Sequence, residues 1–167
     1  MLCLAMACVA WGPGAGSTTV WLRGRPLNVR LAGCRGRTPV IVSSGDGGWI
    51  HLAPEVAAFL ERHGYFVVGV DVRAYLASFT TGRRGVSPRE VQEDFLTFVD
   101  TAAAGGAPAP PVLVGVSEGA ALSVLAATAP EVKARVAGVV ALGLPDVAEL
   151  AWHWRDVLIY LTHRTPD

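Results

Sequence analysis

A hydroxyl that attacks a carbonyl must be held clear of its own backbone, have donors nearby for the oxyanion that forms, and have a base to take its proton. One stretch of this 167-residue sequence meets the first requirement. From Pro111 an apolar run, Val112-Leu113-Val114, enters Gly115-Val116-Ser117-Glu118-Gly119 and continues into the alanine-rich Ala120 to Leu125. The pattern predicts a strand, a sharp turn and a helix. Ser117 then stands at the carboxyl end of the strand and at the positive end of the helix, with Gly115 and Gly119 withholding Cβ atoms where the two elements crowd. The five-residue pattern alone is short enough to arise by chance, and an ordinary tight turn with a solvated serine would look the same. The flanking strand and helix are what give it weight.

The second requirement points to Ser44-Gly45-Asp46-Gly47-Gly48-Trp49, which follows the β-branched run Val40-Ile41-Val42-Ser43. One oxyanion donor would be the backbone N–H of Glu118, and the other that of Asp46 or Gly47. The glycines let this loop approach a substrate closely. A plain glycine-rich turn is the alternative reading.

For the third requirement no base is identifiable. His63, beside Gly64, reads as a cation at a helix C-terminus, and His51 precedes the serine. His153 and His163 read as helical or terminal residues. Asp146, Glu149 and Asp156 are available carboxylates, and Asp146 reads equally well as a helix cap. Trp152, Trp154, Leu158, Ile159 and Tyr160 would form a lid, a membrane-facing patch or simply packed core.

These residues need a scaffold, and the pattern supplies one. Thr18–Leu22 and Leu27–Leu31 read as a hairpin at an antiparallel edge; Val40–Ser43, Tyr65–Val70, Val112–Val116 and Val136–Leu142 read as buried strands. Leu52–Arg62 reads as an amphipathic helix with Leu52, Val56, Phe59 and Leu60 on one apolar stripe. Ser87-Pro88-Arg89-Glu90 forms a capping box for a second helix ending at Gly105-Gly106, and a third helix follows Ser117. The stretch from Asp71 to Gly85 shows no clean period and is expected to be a long loop. Alternation of strand and helix predicts an α/β fold in three layers, with a mostly parallel sheet.

Composition bounds the function. The chain is 51% hydrophobic, and its 14 basic and 14 acidic residues cancel, so no nucleic-acid footprint is present. No cofactor and no metal site is predicted, since no CxxC pair or ligand cluster appears, and no structural disulfide is expected from Cys3, Cys8 and Cys34. Residues 1–16 read as a leader segment without a basic n-region, which implies export to the periplasm or beyond. Residues 17–167 read as one domain.

With the Gly-Asp-Gly-Gly-Trp loop, Gly64-Tyr65-Phe66-Val67-Val68-Gly69-Val70-Asp71 and Gly115-Val116-Ser117-Glu118-Gly119-Ala120 in this order, the chain resembles the bacterial virulence proteins of the VirJ and AcvB type, members of the α/β-hydrolase superfamily. Gly143-Leu144-Pro145-Asp146 and Glu149-Leu150-Ala151-Trp152 add to the likeness. The resemblance implies a periplasmic serine hydrolase with Ser117 as nucleophile, a link to aminoacylated phosphatidylglycerol, and possible contact with secretion-system proteins. It also implies an acid and a histidine beyond the last strands, so the domain is expected to be incomplete at its C-terminus and unstable as an isolated fragment. Glu118 stands where an aromatic residue is frequent. The expected substrate is a small-molecule or lipid ester, with membrane-surface contact in the lipid case. Asp46, Glu118 and Trp49 are the expected substrate-binding residues, the two carboxylates suiting a cationic group such as a lysyl amine. The alternatives are a non-catalytic periplasmic binding or assembly factor on the same scaffold, and a generic carboxylesterase.

Overall fold

The computed structural model describes residues 8–9, 16–82 and 84–152. His153, Asp156, His163 and the aromatic cluster beyond Trp152 lie outside them, as does most of the expected leader. Among the described residues, seven strands and five helices follow in the order β1 (Cys8–Val9), β2 (Gly16–Leu22), β3 (Arg25–Cys34), β4 (Pro39–Ser43), α1 (Leu52–Arg62), β5 (Phe66–Val70), α2 (Val72–Phe79), α3 (Pro88–Gly105), β6 (Val112–Val116), α4 (Glu118–Ala127), α5 (Pro130–Lys133) and β7 (Gly138–Leu142).

The strands form one sheet in the order β1-β3-β5-β4-β6-β7, with β2 also paired to β3. β2 and β3 are antiparallel and joined through Arg23 and Gly24, whose φ values of 49° and 77° suit a primed two-residue hairpin turn. β3 joins β5 antiparallel, and β5, β4, β6 and β7 are parallel. This is the expected mostly parallel sheet with an antiparallel N-terminal edge. Chain order matters for function here. β4 leads to β5 on one side, the chain then crosses back to β6 on the other side of β4, and the direction of winding reverses between β4 and β6. Loops leaving the carboxyl ends of two such strands diverge and leave a crevice, the usual ligand site of an open α/β sheet.

Two expectations change and a third is refined. Asp71 to Phe79 is not loop: the Asp71 carboxylate accepts the Ala74 N–H at 3.0 Å and caps α2, whose Val72, Tyr75 and Leu76 point inward at helical spacing. In α1 the fully buried residues are Ala53 and Ala57, while Leu52 and Phe59 stay about half exposed, at 47% and 52%. Small residues let the helix lie close on the sheet, which turns the bulky stripe partly aside. Cys34 is disulfide-bonded. Antiparallel pairing of β1 with β3 sets Cys8 opposite Cys34 in the backbone register, a proximity that 25 intervening residues conceal in the sequence. The capping box of α3 is formed as expected, with Ser87 Oγ accepting the Glu90 N–H and Glu90 accepting the Ser87 N–H.

A buried polar knot ties the hairpin to the helices. Asp94, 3% exposed, accepts from Arg23 at 2.7 Å and from the Tyr75 hydroxyl at 2.8 Å. Burial pushes the Asp94 carboxyl up, against the pull of Tyr75 and Arg23, and burial beside Asp94 pushes the Tyr75 hydroxyl up as well.

Candidate active site

Ser117 ends β6 and caps α4 with φ 50° and ψ −119°, a backbone conformation in which a residue other than glycine is strained. The surroundings hold it there. Its N–H donates to the Leu142 carbonyl at 2.8 Å, and its own carbonyl accepts from Ala120 and Ala121. The flanking glycines are required sterically: a Cβ at Gly115 would lie 2.3 Å from the Gly119 carbonyl oxygen, and one at Gly119 would lie 2.3 Å from that of Ser44. Strand, turn and helix thus lock the serine hydroxyl, half-buried, at the rim of the crevice. Among the described residues no side chain hydrogen-bonds this hydroxyl.

The glycine loop after β4 comes alongside. Ser43 pairs in register with Gly115, so the two loops leave the sheet at one level. A Cβ on Gly45 would stand 3.4 Å from the Ser117 Cβ and 3.9 Å from its Oγ. The loop is a tight turn, with the Gly48 N–H donating to the Gly45 carbonyl at 3.0 Å, and Asp46 and Gly47 are exposed at its tip. As first residue of α4, Glu118 has no intrahelical acceptor for its N–H. Of the groups expected to hold an oxyanion, Glu118 directly follows Ser117, and Asp46 and Gly47 come one and two residues after Gly45, the loop residue that faces Ser117.

The three expected substrate contacts divide. Asp46 is open to solvent. The Trp49 ring lies on the sheet: a Cβ at Gly69 would come within 2.5 Å of it, the Trp49 N–H donates to Asp71 at 3.3 Å, and the Arg30 guanidinium lies 5.0 Å from the ring centre. Trp49 anchors the glycine loop from below. Glu118 is 4% exposed, and its Oε1 accepts the Glu149 N–H at 2.7 Å. Burial pushes this carboxyl up to about 7; the Glu149 N–H opposes that, while the negative charges of Glu149 and Asp46 add to it.

Among the described histidines, His63 bonds the Phe59 carbonyl at the end of α1, as its place beside Gly64 suggested. His51 holds a surprise that no sequence signal carried. It caps α1 at φ 54° and ψ −116°, nearly the backbone conformation of Ser117. Asp146 lies exposed in the segment after β7 and caps no helix. No metal-binding cluster occurs among the described residues.

The family model described as bacterial virulence protein (VirJ) matches residues 38–158, nearly three quarters of the sequence. The chain belongs to that family. The matched span holds the glycine loop, the elbow and the segment after β7. A putative dienelactone hydrolase from Klebsiella pneumoniae superposes with a TM-score of 0.64 at 18% identity, covering 81% of this chain and 61% of its own. A hypothetical protein from Pseudomonas aeruginosa gives 0.62 at 21% identity, covering 87% and 49%. A cold-adapted esterase from an Arctic intertidal metagenomic library gives 0.53 at 17% identity, covering 80% and 65%. At these identities the likeness is one of fold, and the fold is that of the α/β hydrolases. The chain spans less than two thirds of each of these three solved chains. No curated protein matches it.

Proposed function

We propose that this VirJ-family chain carries the nucleophile and oxyanion site of a serine hydrolase acting on ester bonds. The observation that carries the reading is the strained Ser117 backbone at the start of α4, in contact with the glycine loop. Ser117 Oγ would add to the ester carbonyl carbon as its proton leaves to a base. The carbonyl oxygen, now negative, would sit between the Glu118 N–H and that of Asp46 or Gly47. Collapse would expel the alcohol, reprotonated by the same base, and leave an acyl-serine that water then cleaves to the acid. Fixed donors of this kind lower the barrier because they need no reorganisation as charge develops.

A fluorophosphonate probe tests this on the full chain. Wild type should label at Ser117 and Ser117→Ala should not; an unlabelled wild type, or label surviving in the variant, would refute it. The finer substrate reading is an aminoacylated phosphatidylglycerol or a related lipid ester, its cationic group facing the exposed Asp46. Asp46→Asn should then lower the preference for lysyl over neutral esters, and an unchanged preference rejects that substrate. Export to the periplasm fits the disulfide at Cys34, since such bonds persist in oxidising compartments. A binding or assembly factor on a hydrolase scaffold is the second reading. It is the reading that an unlabelled wild type would favour.

A further inference from the structure

The segment that follows β7 returns across the top of the sheet as a strap, Glu149–Trp152, stitched down at four points. The Glu149 N–H donates to Glu118 Oε1 at 2.7 Å. The Leu150 carbonyl accepts the Val86 N–H at 2.7 Å, and the Trp152 N–H donates to Thr80 Oγ1 at 3.0 Å. The Arg73 guanidinium lies 4.4 Å from the Trp152 ring centre. Three of these anchors belong to α2 and the loop after it. Only Glu118 belongs to the elbow.

Glu118 thus has two ends with two partners. Its backbone N–H opens α4 beside the nucleophile, and its carboxyl, buried behind that N–H, grips the strap. From this geometry we infer that Glu118 is a positioning residue: by accepting the Glu149 N–H it fixes the strap against the elbow and holds its own N–H in line for the oxyanion. The inference rests on reading Ser117 as the nucleophile. It replaces the idea that the Glu118 carboxyl meets a substrate cation, because that carboxyl has no open face. Its charged neighbours are Asp46, from the loop after β4, and Glu149, from the strap; both carry negative charge. Burial and this repulsion leave the carboxyl titrating near neutrality, so the grip strengthens as the acceptor becomes ionised.

Amide exchange and probe labelling on the full chain test the inference together. A hydrogen bond to an ionised group contributes enough that its loss should speed exchange of the Glu149, Val86 and Trp152 amides by about tenfold or more in Glu118→Ala. Labelling of Ser117 should slow by about tenfold in the same variant, less than the roughly hundredfold or more lost with a donor itself, because the N–H stays and only its alignment suffers. Glu118→Gln keeps a carbonyl acceptor; it should restore protection at Val86 and Trp152 and most of the labelling rate, and should flatten the pH profile of labelling between about pH 5 and 8. Unchanged exchange at Val86 and Trp152 in Glu118→Ala overturns the inference, as does a pH profile for Glu118→Gln identical to wild type. Should Glu118→Ala fail to fold, Glu149→Pro removes the donor together with the Glu149 charge, and Glu149→Gln, which keeps the N–H, controls for the charge: faster exchange at Val86 and Trp152 in the proline variant but not in the glutamine variant supports the strap, and any other result overturns it. Wild-type protein that never labels sinks the nucleophile reading, whereas the exchange results bear on the strap alone.

Discussion

The two faces of the sheet are built differently. On one face α2, α3, α4 and α5 close over Ile41, Val68, Val70 and Leu113, and Tyr75, Phe95 and Phe98 meet edge to face with ring centres 5.4 to 6.2 Å apart. All three rings are 1% exposed or less. On the other face α1 is the only helix among the described residues over Val40, Val42, Val67 and Val114, with Ala53 and Ala57 buried beneath it and Val56, Leu60 and the Trp49 ring partly buried alongside. Beside it an apolar cavity of about 510 Å³ opens between α1 and the edge at β7, with Leu52, Phe59 and Val140 about half exposed along it. A parallel sheet needs cover on both faces. The difference teaches that the apolar pattern of α1 reports a helix but not how deeply each apolar residue sits, because depth depends on what else reaches that face.

The sharpest way to break this contrast is to delete one ring from each side. Phe98→Ala should cost about 3–5 kcal/mol, the usual range for a ring lost from a packed core, whereas Phe59→Ala should cost about 1 kcal/mol or less. Urea unfolding of both variants measures the gap; equal costs would mean that the α1 face is filled in solution. Next comes the polar knot on the packed face. Asp94→Ala leaves the buried Tyr75 hydroxyl without its acceptor and takes one of two carboxylate partners from Arg23, which keeps Glu90, and should cost about 3 kcal/mol, read as a lower urea midpoint at unchanged slope. A cost near zero would show that water replaces the carboxylate there.

A smaller effect belongs to the rim where the faces meet. The Glu118 carboxyl is held up at about 7 against an ordinary value of 4.5, so the folded chain keeps a proton that the unfolded chain has lost. Stability from this group is therefore complete below about pH 4.5, falls as pH rises towards about 7 and then levels off, by roughly 3 kcal/mol at most. The test is the difference between wild type and Glu118→Gln in urea titrations across that window. Wild type should lose stability relative to the variant as pH rises, and parallel curves would contradict the assigned shift.

Much of this was legible in the residues themselves. The elbow announced itself because the local constraint is covalent and steric: a serine between two glycines, after a β-branched run and before alanines. The strands and the α3 capping box were legible for the same reason, since each depends on neighbours a few residues away. What escaped depends on distance. The grip of Glu118 on Glu149 spans 31 residues, and the pairing that brings β1 beside Cys34 is nearly as remote. The α2 helix escaped because its eight residues carry only three inward positions, too few to stand out beside Tyr-, Phe- and Thr-rich neighbours. The twisted backbone of His51 has no signature in its residue type at all.

Gly119 carries a consequence for how the site could ever move. Hydrogen is the only substituent that fits between the start of α4 and the carbonyl oxygens of Ser43 and Ser44, which a methyl would meet at 2.4 and 2.3 Å. The gap between nucleophile and glycine loop is therefore set by atomic radii and not by any adjustable side chain. The two loops must travel as one piece, so a substrate that needs more room has to find it in the strap or at the tip of the loop, never between them.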